Sequence, residues 1–332
     1  MEKRLISEVG EKRLIKRLLD KRDKKIHTSE KIIEKSYRDD AALILNSSEY
    51  TVLSTDMLIE HSHIPKEMTH NQMGQKVVTV NISDILAMNA EADSILVSMG
   101  LPPNMTLEEY DELTDGILDA CEKYCITLIG GDINQSNEII LCGTSIGKTD
   151  DEVKLQTCIN ENELIGITGS LGSPAAALDI LCGKYNVTPE HERIVKTLLE
   201  PKLPIETSKI LRKYPEIASS ITDITDGLAI ELGHLQDKNK DIGFEIYYEK
   251  IPYDKNIEKI AEDNDKDLTE YLLHFGEEFE LLLTLNPEEY KKHENELKIN
   301  IIGKTNNTGK ITLIKDNKKE NIPIRGYEHL KR

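Results

Sequence analysis

No run of about 18 apolar residues occurs in the 332-residue chain, so no segment is long enough to span a membrane as a helix. Positive charge is scarce: 42 Lys and Arg stand against 60 Asp and Glu, a formal net charge of −18. That balance excludes binding DNA or RNA through backbone phosphates, although metal ions can still let acidic groups hold an anionic substrate. Cysteine is sparse, five in all, with no CxxC pair. Cys121 and Cys125, four apart on a predicted helix, could form half of a zinc site, but buried free thiols are the better reading. A reduced, cytoplasmic protein is expected. The N-terminal stretch has no apolar signal core. Its Leu5, Ile6, Val9, Leu14, Leu18 and Leu19 recur at helical spacing and predict a basic amphipathic helix, packed on its own domain rather than on a membrane. Also missing are GxxxxGK[ST], HRD, DFG and HExxH, which excludes a P-loop enzyme, a protein kinase and the common zinc hydrolases.

What the chain does contain is alternation. TVLSTDML (51–58), VVTVNI (77–82), SILVSMGL (94–101), ITLIGG (126–131) and IILCGTSIG (139–147) predict strands. Residues 107–125, behind a Thr106 cap, predict a helix. The polar patch 148–163 divides the chain near residue 150, giving domains 1–150 and 151–332. Beyond it, ELIGITGS predicts a strand, SPAAALDILCG and ERIVKTLLEP predict helices, and GFEIYYEKI, FELLLTL and INIIGK predict strands. Two α/β (or α+β) domains with mixed sheets are therefore expected.

Acids recur at the ends of these apolar runs. Asp39 and Asp40 lie in YRDDAALIL, Asp56 in VLSTDMLIE, Asp84 in VNISDILAM and Asp132 in LIGGDINQS, with Asp223 and Asp226 in ITDITDGL. Each alone reads as a cap or a turn. Together, with hydroxyls Ser54, Thr55 and Thr225 beside them, they ask for another reason. Carboxylates gathered at strand ends repel one another by several kcal/mol unless cations lie between them. Hard oxygen ligands select magnesium, which keeps coordination sites for water and phosphates. Phosphoryl transfer with several Mg²⁺ ions is the chemistry that follows. NISDIL (81–86) and DITDGL (223–228) share a form, as if each half gave a similar polar turn to one site. Gly169 and Gly172 in GITGSLG form a weak anion-facing signal, and His61 and His63 could be zinc ligands on one strand face, without a third ligand nearby.

In order, DDAALI, STDMLIEHSHI, VNISDILAM, GGDINQS, GITGSLG, DITDGL and GEEFELLLT resemble the thiamine-monophosphate kinases, of the superfamily of aminoimidazole-ribonucleotide synthetase and selenophosphate synthetase. The match runs from about residue 30 to the terminal GYEHL. The resemblance implies two α/β domains and a homodimer paired through the N-terminal ones. It also implies transfer of the γ-phosphoryl of ATP to thiamine monophosphate, with no general base because the acceptor phosphate is already ionised. It maps magnesium ligands onto Asp40, Ser54, Thr55, Asp56, Asp84, Asp132, Asp223 and Asp226. Nucleotide contacts map onto Gly131, Asp132, Gln156 and Thr225, and substrate contacts onto His63, Glu277 and Tyr327. Four positions depart from the family pattern: Arg38 for glycine, Ile133 for threonine, Glu278 for aspartate, and Gln156 for an arginine whose charge Lys154 could replace. A selenophosphate synthetase would carry a reactive cysteine near its start, and none precedes Cys121. Aminoimidazole-ribonucleotide synthetase and a non-catalytic Mg-ATP-binding module remain as alternatives.

Overall fold

The computed structural model describes residues 6–25, 39–149, 153–183 and 188–327. Leu5, Arg38 and the last residues of GYEHL lie outside the described residues. A 3-10 turn, Ile6–Glu8, precedes helix α1 (Glu11–Lys25), so the expected amphipathic helix starts later than Leu5; none of its residues is buried, and Ile15 and Leu18 are exposed. Next come β1 (Ala42–Asn46), β2 (Glu49–Ile59), the short α2 (Glu60–His63), α3 (His70–Ala87) and β3 (Glu91–Leu101). The first half closes with α4 (Leu107–Tyr124), β4 (Thr127–Gln135) and β5 (Ile140–Thr149). Its sheet has the order β1-β2-β5-β3-β4, with only β3 and β4 parallel.

The second sheet has the order β12-β11-β8-β10-β6-β9-β7. It is built from β6 (Leu164–Thr168), β7 (Ala218–Asp223), β8 (Gly243–Tyr247), β9 (Leu281–Leu285), β10 (Ile299–Asn306), β11 (Ile311–Lys315) and β12 (Lys318–Asn321). Only β8 and β11 run parallel. With it go α5 (Ser173–Cys182), α6 (Pro189–Leu199), α7 (Ile205–Lys213), α8 (Leu228–Lys238), α9 (Asn256–Asp263), α10 (Leu268–His274) and α11 (Pro287–His293). The fold is thus α/β with two mixed sheets and helices, as the alternation predicted. Thr106 caps α4 through a reciprocal box with Glu109, also as expected.

The predicted strand VVTVNI is the main correction: residues 77–82 lie inside α3. Its β-branched residues mislead because the helix is buried on nearly every side, Val77, Val78, Ile82 and Ile85 together with the polar Lys76, Thr79, Asn81 and Ser83, so the usual amphipathic period disappears. The Thr69–Gln72 capping box was the readable signal of its start. NISDIL consequently sits within a helix, whereas DITDGL is a strand end and turn, so the two are not similar turns. His61 and His63 lie in α2, past the end of β2, and not on a strand face. The predicted strand 243–251 stops at Tyr247 and gives way to a 3-10 turn, Tyr248–Lys250.

One hydrophobic cluster joins the halves, from Leu58, Val77, Val97 and Leu113 to Ile221, Leu281 and Leu283. A second fills the far half around Ile167, Phe244, Ile246 and Tyr271. Helix α3 is central to the first cluster, and α4 crosses it closely: a Cβ at Gly116 would stand 2.0 Å from the Asn71 carbonyl oxygen. Backbone cannot retreat as a flexible side chain can. Gly116→Ala should therefore lower unfolding free energy by about 1–3 kcal/mol, read as a fall in thermal midpoint; an unchanged midpoint contradicts the close approach.

Candidate functional site

The site is assembled by one turn of α3. Asn81 Oδ1 accepts from the Asp56 N–H at 2.9 Å, and its own amide nitrogen donates back to the Val77 carbonyl at 2.8 Å. Ser83 donates to Asp223 Oδ2 at the end of β7, while Asp84 Oδ2 accepts from Ser54 of β2. Three polar side chains on one turn of a buried helix thus fasten the middle of β2 in one sheet and the end of β7 in the other. Asp40 enters from the other side: its Oδ1 accepts from Gln156 Nε2 at 2.6 Å and from Thr222 Oγ1 at 3.0 Å. Its Oδ2 is buried and makes no hydrogen bond among the described residues.

Asp40, Asp56, Asp84 and Asp223 feel one another. Burial raises the carboxyl of Asp40 well above the ordinary range, and Asp223 and Asp39 push it further. Burial does the same to Asp84, with Asp56, Asp223 and Asp40 adding to it. Asp56 and Asp39 are raised chiefly by burial, Asp223 is raised to about 7, and Asp226 to about 6 by burial and Glu231. Among the described residues no three His, Cys, Asp or Glu converge into a ready-made metal cage. A cation shared among these acids would complete its shell from hydroxyls, water and phosphate, as magnesium does.

Other expected residues fall into two groups. Glu277 and Tyr327, 50 positions apart in sequence, converge on neighbouring carbonyls of the DITD turn: the Glu277 N–H donates to Thr225 O at 2.9 Å and the Tyr327 N–H to Asp226 O at 3.3 Å. The approach demands a glycine before Glu277, because a Cβ at Gly276 would lie 1.8 Å from Thr225 O. His63 is near as well, since its carbonyl and the Glu277 carboxylate share the ammonium of Lys76. Thr55 and Asp132 are elsewhere. Thr55 alternates to the face of β2 opposite Ser54 and Asp56, donating to the Gly143 carbonyl at 2.7 Å. Asp132 stands on β4, in register through Ser98 and Cys142 with Met57. Three strand spacings, about 14 Å, separate it from β2. Its Oδ2 accepts from Asn134 at 2.6 Å, and Gly131 beside it is likewise exposed.

Gln156 is 3% exposed and fully engaged. Besides Asp40 and Thr222, its side-chain oxygen accepts from Lys238 and its backbone carbonyl from Asn239 at 2.7 Å. Lys238, which sequence reasoning missed, brings the positive charge beside this position. So did Lys12 of α1 escape notice: its ammonium lies 2.8 Å from His234 Nε2 and 3.8 Å from Asp226 Oδ2. Because Lys12 donates, His234 carries its proton on Nδ1 and donates to Glu231 at 2.9 Å. Only Lys76 had a readable signal, a lone lysine before an apolar run. His61 is held by Glu138, and Cys121 is a buried free thiol while Cys125 is exposed.

Residues 38–149 match the family model described as AIR synthase related protein, N-terminal domain. The thiamine-monophosphate kinase of Pyrococcus horikoshii is 30% identical over 293 residues, 88% of this chain and 90% of that protein. The enzyme of the same name from Buchnera aphidicola subsp. Schizaphis graminum is 34% identical over 313 residues, 89% of this chain and 92% of that one. The solved structure of AaThiL complexed with AMPPCP and TMP superposes with a TM-score of 0.86 at 26% identity, covering 99% of both chains.

A raised carboxyl binds more protons folded than unfolded, so its stabilisation is complete below the ordinary carboxylate range and is lost as pH climbs toward the folded value. The folded value is about 6 for Asp226 and about 7 for Asp223, and Asp40 and Asp84 are also raised well above the ordinary range. With divalent cations chelated, the thermal midpoint should decline as pH rises from about 4, the ordinary carboxylate value, through about 7, and added magnesium should restore it. Asp84→Asn should flatten the decline by removing one interacting charge. Equal slopes in wild type and variant would show that the four acids do not interact.

Proposed function

The chain belongs to the thiamine-monophosphate kinase family of phosphotransferases, and from that premise we propose that it phosphorylates thiamine monophosphate to thiamine diphosphate with ATP by direct in-line transfer. The observation that carries the reading is the gathering of Asp40, Asp56, Asp84 and Asp223 beside a turn that also collects Glu277 and Tyr327. The likeness to a structure holding both AMPPCP and TMP supports it.

The buried, unpartnered Oδ2 of Asp40 fits a hard divalent cation, as does the mutual repulsion of its neighbours. Asp40, Asp56, Asp84 and Asp223 would hold magnesium, with Ser54 and Asp226 at the margin. Bound there, magnesium would quench the repulsion between two anionic substrates and the developing charge on the transferred group. The protein's own share is alignment. Asn81 and Ser83 fix the carboxylates, Gln156 and Lys238 set Asp40 and supply positive charge beside the nucleotide end, and Glu277, His63 and Tyr327 receive the thiamine moiety. An ionised acceptor phosphate needs no base, and no group is assigned that role.

The homodimer is part of the same proposal. Edge strand β4 is exposed along its whole length, with Leu128, Ile129 and Ile133 uncovered, a surface suited to a second copy. Cover there would also enclose Thr55 and Asp132. We further place the domain boundary near residue 150 and the reaction in the cytoplasm, where free thiols persist. Among the described residues no helix is long and apolar enough to cross a membrane.

Coupled ADP-release assays test the reading. Release should require both thiamine monophosphate and magnesium, and Asp84→Asn should reduce turnover by about 100-fold or more while the fold is retained. ADP release indifferent to thiamine monophosphate but driven by the substrate of aminoimidazole-ribonucleotide synthetase would point instead to that chemistry. Nucleotide binding without turnover would leave only a sensor.

A further inference from the structure

We propose that Lys76 is a positioning residue for the acceptor end of the site, setting the Glu277 carboxylate and the His63 turn in one arrangement through a buried ammonium. The inference rests on the reading of Glu277 and His63 as substrate contacts. Lys76 lies in α3 among the largest fully buried side chains, at 0% exposure. A buried ammonium is costly unless paired. Its partners come from opposite halves of the chain: it donates to Glu277 Oε2 and, at 3.1 Å, to the carbonyl oxygen of His63.

A structural cement would bury both members of the pair, and this one does not. The Glu277 side chain is 30% exposed. Lysine holds Oε2, while among the described residues Oε1 has no hydrogen-bond partner and the side chain remains part-exposed. The backbone of Glu277 is left-handed, with φ of 65°, a strained state for a residue with a Cβ that tends to persist where function requires it. With the preceding Gly276 pressed on Thr225, neither the backbone nor the carboxylate of Glu277 is free to drift.

The charge pairing also defines what Glu277 can recognise. Lys76 already neutralises the carboxylate, so the free oxygen is suited to a neutral N–H donor rather than to a cation. In thiamine monophosphate that donor is the pyrimidine amino group, which leaves the thiazolium charge to other contacts such as an aromatic face.

Kinetics of Lys76→Met, Glu277→Gln and the double variant test the coupling. Lys76→Met should raise KM for thiamine monophosphate by about 10- to 100-fold while KM for ATP stays near wild type. If Lys76 acts through Glu277, the double variant should match Glu277→Gln alone rather than multiply the two effects. Lys76→Gln, which keeps a donor in the buried site, carries the same comparison should Lys76→Met fail to fold. Multiplying effects, or an equal rise in both Michaelis constants, would overturn the proposal. A normal Lys76→Met beside an impaired Glu277→Gln would overturn it while leaving Glu277 a substrate contact. A normal Glu277→Gln would remove Glu277 from the acceptor site and the proposal with it.

Discussion

Repulsion among Asp40, Asp56, Asp84 and Asp223 is the constraint around which the rest of this fold is arranged. The four come from a segment before β1, from β2, from α3 and from the end of β7, so no local stretch of chain can relieve the strain between them. What holds them together is hydrophobic: α3 is buried along most of its length in the core that spans both halves. Its polar turn, Asn81 to Asp84, then meets the middle of β2 and the end of β7 at once. The apolar core thus does work against the charges, and a cation that neutralises them releases that work as binding energy.

The acceptor end follows from the same frame. One turn, Thr225–Asp226, receives backbone hydrogen bonds from Glu277 and from Tyr327, while Lys76 on α3 reaches Glu277 from below. In the proposed reaction the donor and acceptor subsites would therefore not be independent modules. Asp84 and Lys76 lie two helical turns apart on one rigid element, and in that reading Asp84 serves the phosphate end and Lys76 the thiamine end.

How much of this was legible varies by residue for physical reasons. The acids and their hydroxyl neighbours were readable because their types at apolar ends have no sufficient structural explanation. Helix α3 was not, because full burial erases the period that separates helix from strand, and only the Thr69–Gln72 box marked it. Ser54, Thr55 and Asp56 were grouped as one ligand set, yet consecutive strand residues face opposite ways, so that split was foreseeable from the pleat. Convergence of Glu277 and Tyr327, the burial of Gln156 against Lys238, and the reach of Lys12 to Asp226 depend on tertiary contacts that no sequence spacing announces.

The most direct measurement is anomalous diffraction from crystals grown with manganese and a non-hydrolysable ATP analogue. Manganese takes the same hard oxygen ligands as magnesium and scatters strongly enough to be located. The account predicts metal peaks at coordination distance from carboxylate oxygens of Asp40, Asp84 and Asp223, with phosphate oxygens completing the shell. Well-ordered nucleotide with no metal on any of these carboxylates would contradict it.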